Sequence, residues 1–458
     1  MKLPESIKKA LYMIEDAGYQ GYIVGGCVRD ALRGIEPHDY DITTSALPGE
    51  VKEIFKEYRV IETGIKHGTV TVLMKDSLAD EAANGAAGSD VDTYPLEITT
   101  FRVEGEYLDG RRPSCVSFTR DLREDVARRD FTINAMAMDV RGETYDFFGG
   151  KEDLRAGIIR TVCNPRERFE EDALRIMRAL RFASVTGFEI EQQTKDAIFA
   201  CKELLLRISS ERIREELVKL LLGKDVRRVL LEYWDVLAVI IPELAPMKDL
   251  DQKTHWHIYP VHEHTAVAVE NAPNEDILRV AALLHDVGKP KCFFIDEKGV
   301  GHSYGHAQVG VDLSREILTR LKFDNESKMR ILNLIKYHDA QLQPVPKNVK
   351  RALGKHGEVG FFDLLKLKRA DNLAQSEEAF ARLEYLDLLK RIAEEIIDEE
   401  QCFSAKDLAI NGKDLIEMGM KPGKEIGEML AALLEAVIEE IIPNDRAELL
   451  KFAQKIKK

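Results

Sequence analysis

The chain has 458 residues and a formal net charge of −14, enough length to bury several cores in roughly two to four domains. No uninterrupted apolar run approaches a membrane span, and MKLPESIKKALYMIEDAG is an amphipathic start without a signal core. A membrane partner is therefore not expected, and a cytoplasmic protein is. The six cysteines are scattered without a C-x-x-C pair, which argues against a zinc site or a disulfide framework. The acidic balance does not suggest a nucleic-acid binder. Binding depends on local fields, however, and basic residues gather at Arg111-Arg112, between Arg120 and Arg129, and between Arg160 and Arg181.

In chain order, Tyr22-Ile23-Val24 reads as a short strand. Gly25-Gly26 then lets the backbone turn sharply and approach a ligand. Cys27 to Leu32 has helical character and opens with free N–H groups that suit a phosphate. Arg29 in that turn can add charge-assisted hydrogen bonds. After Gly34 and Pro37 the chain is extended, which points Asp39 and Asp41 to one face of a strand. Two carboxylates so placed repel unless a cation lies between them, and Mg²⁺ takes oxygen ligands of this kind. A Gly-Gly turn or an Asp-x-Asp is common by itself. In this order and proximity, the set reads as a triphosphate cradle beside a metal pair.

Thr69 to Met74 and Leu96 to Arg102 read as strands of β-branched type, and the small, polar stretch Asp76 to Thr93 as a mobile hairpin loop or insertion. Arg128-Arg129-Asp130-Phe131-Thr132-Ile133-Asn134-Ala135 puts two arginines, a carboxylate and an amide into an apolar segment. From about residue 150 the pattern turns helical, with helices expected over Glu170 to Ser184, Thr194 to Leu206 and Ser210 to Leu222. Asp172 and Arg175 are three apart and so are expected to share a helical face, with Arg178 and Arg181 continuing it. An Asp and an Arg held rigidly together present acceptors and donors like a Watson–Crick edge. Pro242 and Pro246 mark a boundary. A histidine-rich block follows, in which Leu283-Leu284-His285-Asp286 ends an apolar helix, with His264 upstream and His306, His338 and Asp371 downstream. Asn411-Gly412 and Pro422-Gly423 punctuate the tail.

GGCVRD…HDYDITT, RRDFTINA and EDALRIMRALR together resemble the signatures of the polymerase-β-like nucleotidyltransferases, in particular the class II tRNA nucleotidyltransferase and bacterial poly(A) polymerase family. The resemblance covers nearly the whole chain and implies an α+β protein. Residues 1–150 would form the nucleotidyltransferase head with a mixed sheet, 151–240 an all-α neck, 241–400 an HD-type helical body and 401–458 a tRNA-binding tail. It implies that Asp39 and Asp41 hold Mg²⁺, that Gly25, Gly26, Arg29 and Arg129 meet the nucleotide phosphates, and that Asp130 and Asn134 position the sugar and the motif backbone. Asp172 and Arg175 would read the incoming CTP or ATP, with Arg178 and Arg181 beside the triphosphate. Glu97, on a strand able to lie beside the Asp pair, is the candidate third carboxylate.

Thr63 to Val70 lacks the basic-aromatic signature of the poly(A) branch, and Phe101 to Pro113 resembles the flexible loop needed for adding the terminal A. The expected function is therefore addition of CCA to tRNA, with contact at the 3′ end and the acceptor/TΨC region and no DNA partner. Asp407 to Leu415 and Gly419 to Gly423 resemble the tRNA-gripping end of Gram-positive-type enzymes. His264, His285, Asp286, His306, His338 and Asp371 match the HD phosphohydrolase pattern, which binds one or two transition metals (Ni, Mn, Co, Fe or Zn). In the family such a domain is either an active hydrolase or a helical spacer. The competing readings are a poly(A) polymerase or A-adding enzyme, an HD phosphohydrolase whose head merely binds nucleotide, and a non-catalytic RNA-binding module.

Overall fold

In a computed structural model of the chain, residues 3–37, 39–75, 93–104 and 116–456 are described. They divide into two compact units, Met1–Leu217 and Val218–Lys458.

The first unit is built on a seven-stranded mixed sheet. Its strands are β1 (Gly21–Val24), β2 (Asp41–Thr44), β3 (Arg59–Ile61), β4 (Thr69–Lys75), β5 (Thr93–Thr100), and, after the separate pair β6 (Arg102–Glu104) and β7 (Val116–Phe118), β8 (Met136–Met138) and β9 (Thr144–Asp146). The order is β3-β4-β5-β2-β1-β8-β9. β2 and β5 run parallel and the other pairs are antiparallel. The alternation expected for Thr69 to Met74 is realised: Val70, Val72 and Met74 point into the core. There they meet Ile42, Leu96 and Ile98 from the neighbouring strands and Ile7, Leu11 and Ile14 from the helix Glu5–Asp16.

The helix expected over Glu170 to Ser184 is two helices, Pro165–Glu171 and Leu174–Thr186. Between them Asp172 is extended, at φ −141° and ψ 101°. The segment expected over Thr194 to Leu206 is an α-helix, Gln192–Cys201, followed by a 3-10 helix, Lys202–Arg207. Ser210–Leu221 is helical as expected. The loop expected over Asp76 to Thr93 lies outside the described residues except for Thr93, which opens β5. Most of the loop expected over Phe101 to Pro113 also lies outside them.

The second unit is helical apart from a small hairpin, Phe294–Ile295 with Gly301–His302. One core gathers Val349, Leu353, Phe361, Leu386 and Leu389 from the helices Pro346–Leu373 and Ala381–Asp398. A second gathers Leu415, Leu433 and Leu449 from three short helices near the C-terminus. The punctuation read in the tail holds: Asn411 caps the helix Gly412–Glu417 through its side chain, and Gly423 precedes the helix Lys424–Ile438. Both tryptophans, Trp234 and Trp256, belong to this unit. No helix among the described residues is long and apolar enough to cross a membrane.

Candidate active site and a histidine cluster

β1 ends at Val24; Gly25 follows with a φ of 86° that suits glycine, and the helix Gly26–Leu32 starts at once. The turn also needs glycine for space, because a Cβ there would lie 2.9 Å from the Arg129 guanidinium. In β2 the pattern alternates: Tyr40 and Ile42 are buried, while Asp39 and Asp41 are exposed. The Tyr40 N–H donates to the Tyr94 hydroxyl at 3.0 Å, which pins the backbone between the two aspartates. β2 begins at Asp41, so Asp39 sits just before the strand and still follows its alternation.

Glu97 of β5 is the direct cross-strand partner of Asp41 and is also exposed. Facing partners on neighbouring strands are about 5 Å apart, so three carboxylates converge on one surface. None of the three has an ion-pair partner among the described residues. Crowding by protein atoms pushes the Asp41 carboxyl up, Arg129 opposes this, and Asp39 adds to the rise. Glu97 is raised by burial and then by Asp41 and Asp39. Three mutually repelling carboxylates with no cation among them are the donor set a hard divalent ion such as Mg²⁺ requires.

The arginines lie on the adjoining elements. Arg29 bonds Asp30 at 2.8 and 2.9 Å and donates to the Asn134 side chain at 2.8 Å. Asn134 in turn donates to Asp130 at 3.1 Å, and Asp130 pairs with Arg178 at 2.6 Å. Burial pushes the Asp130 carboxyl up, but Arg178, Asn134 and the Phe131 N–H outweigh it and hold it at about 2. Arg181 pairs with the buried Glu216 at 3.2 Å. The Phe182 ring collects three guanidinium groups, those of Arg29, Arg178 and Arg181, with centres 5.2, 5.4 and 4.3 Å from its centroid. Arg129 has a buried Nε without a hydrogen-bond partner.

The Asp172–Arg175 pair expected on one helical face is not formed. Asp172 lies in the break between two helices and pairs with Arg212 at 2.8 Å. Arg175 is buried and is held by Glu171 at 2.5 Å and by the Arg168 and Arg128 carbonyls. The i,i+3 rule fails here because the helix is interrupted at the residue it relies on. Sequence reasoning also missed Phe182, Arg212 and Glu216. The last two arrive from a different helix, Ser210–Leu221, and no local spacing announces them.

In the second unit all six His and Asp candidates assemble. His264, His285 and Asp286 form one trio of potential ligands, and Asp286, His306 and His338 a second. The Asp286 carboxylate lies between them. Oδ2 is 3.4 and 3.2 Å from His264 and His285, and Oδ1 is 3.5 and 3.7 Å from His306 and His338. Asp371 is 3.0 Å from His264. Every ring turns its Nδ1 to a backbone carbonyl: His264 to Ala374, His285 to Ala282, His306 to Ser303 and His338 to Ile335, at 2.7–3.1 Å. A carbonyl only accepts, so each Nδ1 carries the proton and each Nε2 turns a lone pair inward. Two such pairs face each other at 3.3 Å (His264 and His285) and 3.2 Å (His306 and His338). Facing lone pairs repel without a cation between them, so the donor set fits one or two borderline transition metals. The Asp286 carboxylate is buried. One of its oxygens meets Lys289 at 2.6 Å, a residue that sequence reasoning left without a role. Burial pushes the Asp286 carboxyl up, but the Lys289 ammonium beside it counts among the causes that hold it well below the usual carboxylate range.

Residues 21–160 match a family model described as the poly A polymerase head domain, 187–248 one described as a probable RNA- and SrmB-binding site of polymerase A, and 307–453 one described as a putative tRNA nucleotidyltransferase domain 2. The CCA-adding enzyme of Lactobacillus helveticus is 36% identical over 458 residues, covering 99% of this chain and 98% of its own. That of Ligilactobacillus salivarius is 36% identical over 460 residues, with the same coverage. The crystal structure of the Bacillus stearothermophilus CCA-adding enzyme in complex with CTP is similar over 100% of this chain and 98% of its own, at a TM-score of 0.71 and 28% identity. The Thermotoga maritima CCA-adding enzyme complexed with tRNA shares the fold at a TM-score of 0.59 and 21% identity. With similarity running end to end and a carboxylate-lined strand pair in the head, the chain belongs to the CCA-adding enzyme family of tRNA nucleotidyltransferases.

Proposed function

We infer that this chain completes the 3′ end of tRNA, adding C, C and A from CTP and ATP and releasing pyrophosphate. The observation that carries the reading is the meeting of Asp39, Asp41 and Glu97 on adjacent strands, beside Arg129 and the Gly25 turn. Asp39 and Asp41 would hold Mg²⁺, with Glu97 as third donor. The ion, when bound, supplies positive charge at the attacking hydroxyl and at the leaving pyrophosphate. The primer 3′-oxygen attacks the α-phosphorus, the bond to the β-phosphate oxygen breaks, and pyrophosphate departs. Arg129 and the Gly25-Gly26 turn would hold the triphosphate, with Arg29, Arg178 and Arg181 adding positive charge beside it. Asp130 and Asn134 would orient these groups, since both lie in the bonded chain from Arg29 to Arg178. Asp172 and Arg175 would read the base, for which Asp172 must exchange Arg212 for the nucleotide.

The head (1–150), neck (151–240), body (241–400) and tail (401–458) would divide the work, with the tail gripping tRNA, and the enzyme would act in the cytoplasm. Primer extension on tRNAs lacking CCA, CA or A, with CTP and ATP given separately and together, tests the reading. Addition of C, C and A followed by a stop supports it, whereas long A tails on any RNA would favour the poly(A) alternative.

A second activity is favoured by the inward-facing lone pairs of the histidine cluster. The second unit would bind one or two transition metals (Ni, Mn, Co, Fe or Zn) through His264, His285, Asp286, His306, His338 and Asp371 and hydrolyse phosphate esters. Elemental analysis of the parent and of His285→Ala decides whether the cluster holds metal.

A further inference from the structure

Asp125 lies behind the carboxylate surface of the first unit. It sits on the short helix Leu122–Ala127 and is fully buried. A carboxylate taken out of water is costly unless donors satisfy it, and three do. Oδ2 accepts the Thr43 hydroxyl at 2.9 Å, while Oδ1 accepts the Arg102 N–H at 3.2 Å and the Arg128 Nε–H at 3.0 Å. The Thr43 hydroxyl also comes within 3.2 Å of the Thr99 carbonyl. It has one proton to give, and the shorter contact to a charged oxygen claims it.

These partners support the residues assigned to nucleotidyl transfer. Thr43 follows Asp41 by two positions on β2 and so continues the same face, about 7 Å along the strand. Its register partner on β5 is Thr99, two positions beyond Glu97. Arg102 opens β6 after β5 and Phe101. Through one side chain, the helix Leu122–Ala127 therefore grips β2 and the exit of β5, the strands that carry Asp41 and Glu97. On its other side, Arg128 directly precedes Arg129. Burial pushes the Arg129 guanidinium down, and Asp125 is foremost among the charges that oppose this.

We propose that Asp125 is a positioning residue of the transfer site, holding the carboxylates of β2 and β5 and the guanidinium of Arg129 at one fixed spacing. It acts through Thr43, Arg102 and Arg128 rather than on the reacting atoms. The proposal rests on the nucleotidyl-transfer reading of the first unit. That reaction needs the attacking 3′-oxygen, the α-phosphorus and the departing pyrophosphate in line. A misplacement of about 1 Å at such a centre costs about a hundredfold in rate. Loss of the Thr43 hydroxyl alone therefore slows the chemical step while nucleotide still binds. No local spacing announces the tie, because Thr43 and Asp125 are 82 positions apart.

The test compares Thr43→Val, Thr43→Ser and Asp125→Asn in the full chain. Val keeps the volume and loses the hydroxyl, Ser restores the hydroxyl, and Asn keeps a hydrogen-bonding side chain while deleting the charge. Single-turnover addition of the first C to a tRNA lacking CCA, at saturating CTP, gives the rate of the chemical step. Calorimetry with CTP and Mg²⁺ in the absence of tRNA gives the affinity, and urea unfolding shows that each variant is folded. Thr43→Val and Asp125→Asn are each expected to slow addition by about tenfold or more with CTP affinity within about twofold of the parent, and Thr43→Ser to restore most of the rate. If Asp125→Asn does not fold, the Thr43 pair decides. Parent-like rates in Thr43→Val and Asp125→Asn, a Thr43→Ser as slow as Thr43→Val, or a loss of rate matched by an equal loss of CTP affinity overturns the positioning role and leaves the transfer reading standing. A parent chain that adds no C refutes the transfer reading itself, and the assignment of Asp125 falls with it.

Discussion

Asp130→Asn keeps the shape of a buried side chain and deletes its charge. The carboxylate accepts the Arg178 Nε at 2.7 Å, the Asn134 amide at 3.1 Å and the Phe131 N–H at 2.8 Å. These contacts outweigh burial and bring its pKa from 3.8 to about 2. The residue is 8% exposed, so solvent screening takes little from the effect. A depression of that size corresponds to about 2 kcal/mol of stability at neutral pH. Because the folded-state value is the lower one, this stability is fully present above about pH 4 and is lost as pH falls toward 2; by about pH 3 roughly half remains. Urea unfolding followed by circular dichroism should therefore show Asp130→Asn less stable than the parent by about 2 kcal/mol at neutral pH and by about 1 kcal/mol near pH 3. A gap of the same size at both pH values would refute the assignment of this energy to the ionised carboxylate. The variant should also lose CCA addition, because Arg178 is left without its orienting charge.

Asp39→Ala and Asp41→Ala, both at exposed positions, should leave the fold intact and remove nearly all nucleotidyl transfer; wild-type turnover in either would sink the metal-site assignment. Since the Glu97 carboxyl is held above its ordinary range, protonation should disable it at a higher pH than an ordinary glutamate, and Glu97→Gln should remove that limb from the pH–rate profile while lowering the rate. Arg212→Ala frees Asp172 from its partner and should change KM for CTP and ATP more than kcat; an unchanged KM for both would mean Asp172 does not contact the base. Affinity for tRNA should fall as salt rises, and indifference to salt would contradict a phosphate-contacting surface.

What could be read from the sequence was mainly what short spacing determines. Asp39 and Asp41 followed from strand alternation, and Gly25 from a turn that excludes a side chain. Glu97 was reachable only as a strand neighbour, because its pairing with Asp41 depends on sheet register. The shared helical face expected of Asp172 and Arg175 is absent because helical periodicity was carried through a residue that leaves the helix. The actual partner of Asp172, Arg212, is forty positions away, and such tertiary pairings leave no periodic trace. The six His and Asp residues of the cluster were legible by type. The four carbonyls that orient the imidazoles were not, since any residue supplies a carbonyl.

The placement of Trp234 and Trp256, both in the unit Val218–Lys458, has a spectroscopic consequence. Intrinsic indole emission originates wholly in the half that carries the histidine cluster, one chromophore fully buried and the other stacked beneath Arg382. The unit Met1–Leu217 contributes no indole signal. A melting curve taken from emission alone follows one unit and is blind to collapse of the other. Superposition of that curve with one from ellipticity would show the two units unfolding together, and separation would resolve two transitions within a single chain.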